Sequence, residues 1–222
     1  MDNTVIRRTT GAAGLAATLL MLVELPLYFV YGGPPPDWNI FTRSMFGLTG
    51  TMLLVVFMIG IPHLVRAAGP KSVWIGSISA AAGLMWLTVA AISTSLEVGA
   101  AIAAPDPIDP TIAVTGTYIL YGSLSKLLIA LFLVAFAFAI TDTGLLPPWT
   151  RWSAFGLAAI HLAFVPSMYC GNDPANFYAA NGWGTTATTG GLTILWLLAV
   201  SVTLLRTPAD QFVISPISRA AH

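Results

Sequence analysis

Residues 73–103 read VWIGSISAAAGLMWLTVAAISTSLEVGAAIA, thirty-one residues with a single charge, Glu97. About 20 consecutive apolar residues suffice for a helix to cross the hydrocarbon core of a bilayer. This run is long enough to span with tilt, and it carries a carboxylate inside. An ionisable group at that depth costs about 2.5–3.5 kcal/mol on insertion scales and is seldom idle. Reading outward, five more segments qualify, giving spans at about 11–31, 42–65, 73–103, 112–140, 152–170 and 186–205. Turn residues separate them: Gly32-Gly33-Pro34-Pro35-Pro36, Gly69-Pro70, Pro105-Asp106-Pro107, Pro147-Pro148 and Gly171-Asn172-Asp173-Pro174. The expected fold is an all-α bundle of six transmembrane helices, one domain over residues 1–222.

Composition agrees. Of 222 residues, 56% are hydrophobic and 8% charged, against about 25% charged in soluble domains. The lipid bilayer is therefore the main partner. A net charge of zero gives no reason to expect nucleic acid. One cysteine, Cys170, and three scattered histidines give neither an internal disulfide nor a metal signature, so no metal and no cofactor is expected. Arg7-Arg8 before an apolar run resembles the start of a signal peptide, but Glu24-Leu25-Pro26-Leu27-Tyr28 offers no small-residue cleavage site. That segment is expected to stay as the first helix.

Basic residues orient the chain. Arg7, Arg8, Arg66, Lys71, Arg151, Arg206 and Arg219 share one side, while Asp37, Asp106, Asp109 and Asp173 fall on the other. Both termini are thus expected in the cytoplasm, and the protein in the inner membrane. Trp38, Trp74, Trp149, Trp152 and Trp183 near span ends fit an interfacial aromatic belt. Pro35-Pro36-Asp37-Trp38 with Arg43 and Phe46-Gly47-Leu48 is weakly echoed by Pro147-Pro148-Trp149 with Arg151 and Phe155-Gly156-Leu157. A true repeat would be an inverted three-plus-three, typical of transporters.

Helical spacing groups the ionisable residues. Trp86, Thr94 and Glu97 lie along span three, Tyr118, Gly122 and Lys126 along span four, and Glu24, Tyr28 and Tyr31 along span one. Glu24 and Glu97 stand about seven and six residues before their span ends, and Lys126 about fourteen residues in. Arg43 is expected at the outer start of span two, and His161 as a floor at mid-span. These residues are expected to share one outward-opening cavity. Asp173, Trp183 and the polar loop 170–186 lie above it.

Three readings compete. Lys126 pairs with Glu97 or Glu24 and Arg43 with the other, as a structural core. Or a carboxylic acid withdrawn from water keeps its proton at neutral pH and donates it. Or a carboxylate carries protons in a transporter. Six short spans leave a small pore for a solute unless the chain forms a homodimer. The aromatics Tyr28, Tyr31, Trp86, Tyr118 and Tyr121 beside the charges stabilise cations. Acid/base catalysis on a lipophilic small molecule is therefore preferred, with Glu97 or Glu24 as acid, the other as base, and Lys126 and Arg43 tuning both.

The segment Thr143-Gly144-Leu145-Leu146-Pro147-Pro148-Trp149-Thr150-Arg151-Trp152, leading into an Ala/Gly/Leu-rich helix, resembles a family of uncharacterised bacterial six-helix membrane proteins. That resemblance implies the six-span layout and no activity. In size and span number the chain also looks like the small integral-membrane terpene cyclases, which are thought to protonate a terpene alkene or epoxide with intramembrane acids. This second likeness implies protonation-initiated cyclisation or isomerisation of a terpenoid.

Overall fold

The computed structural model describes residues 3–207; Arg219, used above for orientation, lies outside them. Six helices are long and apolar enough to cross a membrane: α1 (Asn3–Leu27), α2 (Asp37–Ala68), α3 (Val73–Ala103), α4 (Thr117–Thr143), α5 (Pro148–Cys170) and α6 (Gly184–Arg206). Among the described residues there is no strand. The protein is a multi-pass membrane protein with an all-α bundle. Each helix packs on the next and α6 returns to α1, closing a ring in which α5 and α6 touch least. The even number of passes puts residues 3 and 207 at one end, the terminal end. The connections 28–36, 104–116 and 171–183 sit at the other.

Most spans lie where the apolar runs place them, and the first two differ instructively. Helix α1 begins at Asn3 and takes in Arg7 and Arg8. Arg7 is buried against α6, where its Nη1 donates to the Leu204 carbonyl at 3.3 Å. At the other end α1 stops at Leu27, one residue past Pro26. The amide of Asn39 donates to the Leu27 carbonyl at 3.2 Å and closes that terminus. Helix α2 starts at Asp37, so Arg43 sits inside it and is buried rather than at its lip.

The outer surface is apolar, as lipid requires: Leu19, Met52, Ile59, Met85, Leu96 and Leu131 are exposed. Trp38, Trp74, Trp149, Trp152 and Trp183 are also exposed near helix ends. Polar side chains turn inward and tie helices together. The Ser79 hydroxyl donates to the Phe132 carbonyl at 3.1 Å and that of Ser93 to the Thr117 carbonyl at 3.4 Å, fixing α3 to α4.

The terminal half is close-packed. Leu54, Phe57, Met58, Phe132, Phe136 and Leu197 are fully buried. Phe136 meets Trp196 edge-on at 5.1 Å between centroids, and the Trp196 indole N–H donates to the Ser153 hydroxyl at 3.0 Å. Gly60 lets α1 and α2 approach until Thr10 fills the space where a Cβ would stand, the small-residue contact that membrane helices favour. The echo between spans two and five extends to their starts, where Pro36 and Pro147 are both extended N-caps. It does not extend to packing, since α2 runs along α3 whereas α5 barely meets α6.

Candidate functional site

Inside the ring, toward the end opposite the termini, lies a cavity of about 450 Å³. Its mouth is formed by Phe29, Asp109, Thr111, Pro174, Asn181 and Trp183. Glu24, Tyr28, Glu97 and Tyr121 line its middle, and Trp86, Lys126, Ile129, His161, Thr193 and Leu197 its floor. Lys126, His161 and Thr193 each stand nine residues from the cavity-end boundary of their own helix. At about 1.5 Å per residue they share a depth of about 14 Å.

One wall is acidic. Glu24 comes from the last turn of α1 and Glu97 from the far part of α3, the latter 5% exposed. Between them α2 presents Arg43 and, one turn on, Gly47. A side chain at Gly47 would collide with the Glu24 carboxyl, so the glycine makes the space that the acid fills. Arg43 attracts both carboxylates, and its guanidinium lies 4.1 Å from the centroid of the Tyr28 ring. The Tyr28 hydroxyl is the hydrogen-bonding neighbour of Glu24. Yet Nε and Nη2 of Arg43 have no hydrogen-bond partner among the described residues. The charges are thus close but not locked in a closed bridge. At the mouth Asp109 caps a short turn, accepting from the Thr111 amide at 3.1 Å and its hydroxyl at 2.7 Å. The Tyr121 hydroxyl donates to the Thr111 carbonyl at 3.4 Å, fastening that turn to α4.

The floor is organised by a ladder of threonines on α6. Thr185 donates to the Ala179 carbonyl at 2.8 Å, Thr189 to Thr185 at 2.6 Å and Thr193 to Thr189 at 2.8 Å. Thr193 then meets Nε2 of the fully buried His161 at 2.8 Å. Lys126 stands apart from the acids: it is 3% exposed and has no carboxylate partner among the described residues. The charge felt at His161 is that of Lys126. The expected Lys126 pairing with Glu97 or Glu24 is therefore not formed. Lys126 lies deeper, at the floor with His161 and Thr193, while Arg43 alone serves the carboxylates.

Two helices are irregular where they border the cavity. Helix α4 widens into a π turn over Leu120–Leu124, with Gly122 at φ −82°, ψ −114°, and α6 does so over Gly184–Thr188. Such turns recur at functional sites, and loosened backbone at membrane depth is tolerated where protein or a cavity satisfies it. Here the Ser125 hydroxyl donates to the Leu120 carbonyl at 2.6 Å and that of Ser123 to Val165 at 2.8 Å. The loop 171–183 is folded over the mouth. Phe177 meets Trp183 at 4.4 Å between centroids, the Tyr178 hydroxyl donates to the Ala163 carbonyl, and the Ala180 amide donates to Gly171 at 2.8 Å. Asn181 is 8% exposed, and neither end of its amide has a partner among the described residues.

Of the residues expected at the site, Glu24, Glu97, Lys126, Tyr28, Trp86, Tyr121, His161 and Trp183 line the cavity, with Arg43 directly behind. Four do not. Tyr31 lies beyond the end of α1 and packs edge-on against Trp38 at 6.3 Å. Thr94 and Tyr118 are half-buried outside the lining. Asp173 is exposed and caps its own loop, accepting from the Ala175 amide at 3.0 Å. Asp109, Asn181 and Thr193 are further polar residues of the lining, although the sequence does not single them out as site residues. The Thr185, Thr189, Thr193 spacing of four is the readable signal for the last. Among the described residues no group of three or more His, Cys, Asp or Glu is placed to hold a metal ion.

Comparison of the chain with protein-family models, with curated proteins and with solved structures finds no match.

Proposed function

We propose that this protein is a membrane-embedded enzyme that uses Glu97 and Glu24 as intramembrane acid and base on a lipophilic substrate, in protonation-initiated cyclisation or isomerisation of a terpenoid. The observation that carries this reading is the pair of carboxylates on two helices facing one aromatic-walled cavity, near Arg43 but not closed upon it. Cavities of a few hundred Å³ suit small lipophilic ligands. Glu97, the more buried of the two, donates a proton to an alkene or epoxide. The faces of Tyr28, Trp86 and Tyr121 stabilise the resulting cation. Glu24 accepts the proton lost at the end, and Arg43 steadies whichever carboxylate is charged. Asp173 and Tyr118 have no part in this scheme. The bias of Arg and Lys supports a cytoplasmic position for both termini; an inner-membrane location and the likeness to membrane terpene cyclases belong to the same reading.

The test is liquid chromatography with mass spectrometry. Membranes holding wild-type, Glu97→Gln or Glu24→Gln protein are incubated with a panel of prenylated lipids. A new product of unchanged mass with wild type alone supports the reading. Conversion by both variants at the wild-type rate refutes it.

One observation favours a second reading, proton-coupled transport of a small amphipathic compound. The π turns of α4 and α6 border the cavity, as discontinuous helices do at transporter sites. Flux into vesicles that follows a pH gradient, with the compound unchanged, would select it.

A further inference from the structure

The floor of the cavity holds a second chemistry, remote from the acidic wall. Lys126 is almost wholly buried, lines the cavity, and has neither a hydrogen-bond nor an ion-pair partner among the described residues. The same cavity is lined by the apolar Met21, Trp86, Ile129 and Leu197 as well as by His161 and Thr193. A charged amine in such a place is costly and seldom idle. His161 lines the same cavity. The hydroxyl proton of Thr193 is already given to the Thr189 carbonyl, so in the contact at 2.8 Å it is His161 Nε2–H that donates to Thr193. A neutral imidazole with its proton on Nε2 has a bare lone pair on Nδ1, and Nδ1 is buried without a partner among the described residues. The threonine ladder therefore fixes the tautomer that leaves the Nδ1 lone pair of His161 open, in a cavity that also holds Lys126.

We infer that Lys126 is an amine nucleophile that captures the carbonyl group of a lipophilic aldehyde or ketone as an imine, with His161 moving the protons. Nδ1 of His161, which does not touch Lys126 directly, takes a proton from the Lys126 ammonium across one bridging water. The free amine attacks the carbonyl carbon, forming the C–N bond, and one proton passes from nitrogen to the carbonyl oxygen. The imidazolium returns its proton to the resulting hydroxyl, water leaves, and the C=N bond forms. The sum is aldehyde plus ammonium to iminium plus water, with His161 restored. No oxidant, reductant or further reactant is needed. The carbonyl end sits at the floor and the tail runs toward the mouth, past Glu24 and Glu97. This inference extends the proposed function without depending on it.

Reductive trapping tests it. Purified full-length protein in lipid nanodiscs is incubated with dodecanal and sodium cyanoborohydride, which converts an imine into a stable secondary amine, and the modified residue is mapped by peptide mass spectrometry. The chain has one other lysine, Lys71, which is exposed at the terminal end and serves as the internal control. The expected result is a dodecyl adduct on Lys126, retained in Asp173→Ala, outside the cavity lining, and slowed about a hundredfold in His161→Ala. Lys126 left unmodified in wild-type protein under conditions that modify Lys71 overturns the inference. So does an unchanged rate in His161→Ala for the role of the histidine. Because trapping reads capture and not turnover, its failure leaves the acid/base reading standing, and the reverse also holds.

Discussion

The two ends of the bundle solve opposite problems with the same six helices. At the terminal end helices close on one another through small residues: Gly60 receives Thr10, Gly14 meets Phe57, and Phe132, Phe136 and Trp196 fill the centre. At the other end the helices are held apart. Pro26 stops α1 early, the π turns widen α4 and α6, and a folded loop covers the opening. Lipid offers no hydrophobic drive for helix association, so close packing and internal hydrogen bonds must supply cohesion. The packed half supplies the first. In the open half, side-chain hydroxyls from Ser123, Ser125 and the threonine ladder tie down the loosened backbone. The lesson is a division of labour: one half anchors the helices so that the other can keep ionisable groups around a void.

That contrast can be broken or sharpened by substitution. The largest effect is expected at Glu97→Gln, where product formation falls about 10²–10⁴-fold while thermal unfolding in detergent stays near wild type; equal losses of both would make the acid structural. Next comes Gly60→Leu, whose side chain overlaps Thr10 and costs about 1–3 kcal/mol. A denaturation series should show it, and cavity ligand binding should weaken only in proportion. Thr193→Val removes the partner of His161 Nε2 and should cost about 1 kcal/mol, while slowing reductive trapping at Lys126. Asp173→Ala, in an exposed loop position, should lie within about 0.5 kcal/mol of wild type with unchanged turnover. A clear loss of activity there would return the loop acid to the site.

The layout of six spans was legible because apolar runs of this length rarely occur except in helices that cross a bilayer. The limits of α1 were less so. Arg7 and Arg8 read as a polar flank, yet the partner of Arg7 is the Leu204 carbonyl, 197 residues away, and no local pattern reports that. Glu24, Glu97 and Lys126 were legible as candidates through their cost in lipid, but not their pairing. Counting residues gives depth along a helix, not which neighbour stands opposite. Span four shows a further obstacle. A spacing of four puts Tyr118 and Gly122 in line with Lys126, but the π turn over Leu120–Leu124 shifts the phase. Tyr121, five residues before Lys126, then shares the cavity with it. Likewise Tyr31 was placed by extending a helix that ends at Leu27. Asn181 gave no signal of its own, since its burial depends on how the loop folds over the mouth.

The central claim is that one half of this bundle is dry and the other encloses a water-reachable cavity. Cysteine accessibility tests it most directly. In a Cys170→Ser background, which removes the exposed native thiol, single cysteines are placed at Thr186 in the cavity lining and at Ala137 in the packed half. Protein in vesicles is then treated with a charged methanethiosulfonate reagent. The account predicts rapid modification at position 186 and none at 137. Equal reactivity at the two positions, or an inert position 186, would contradict it.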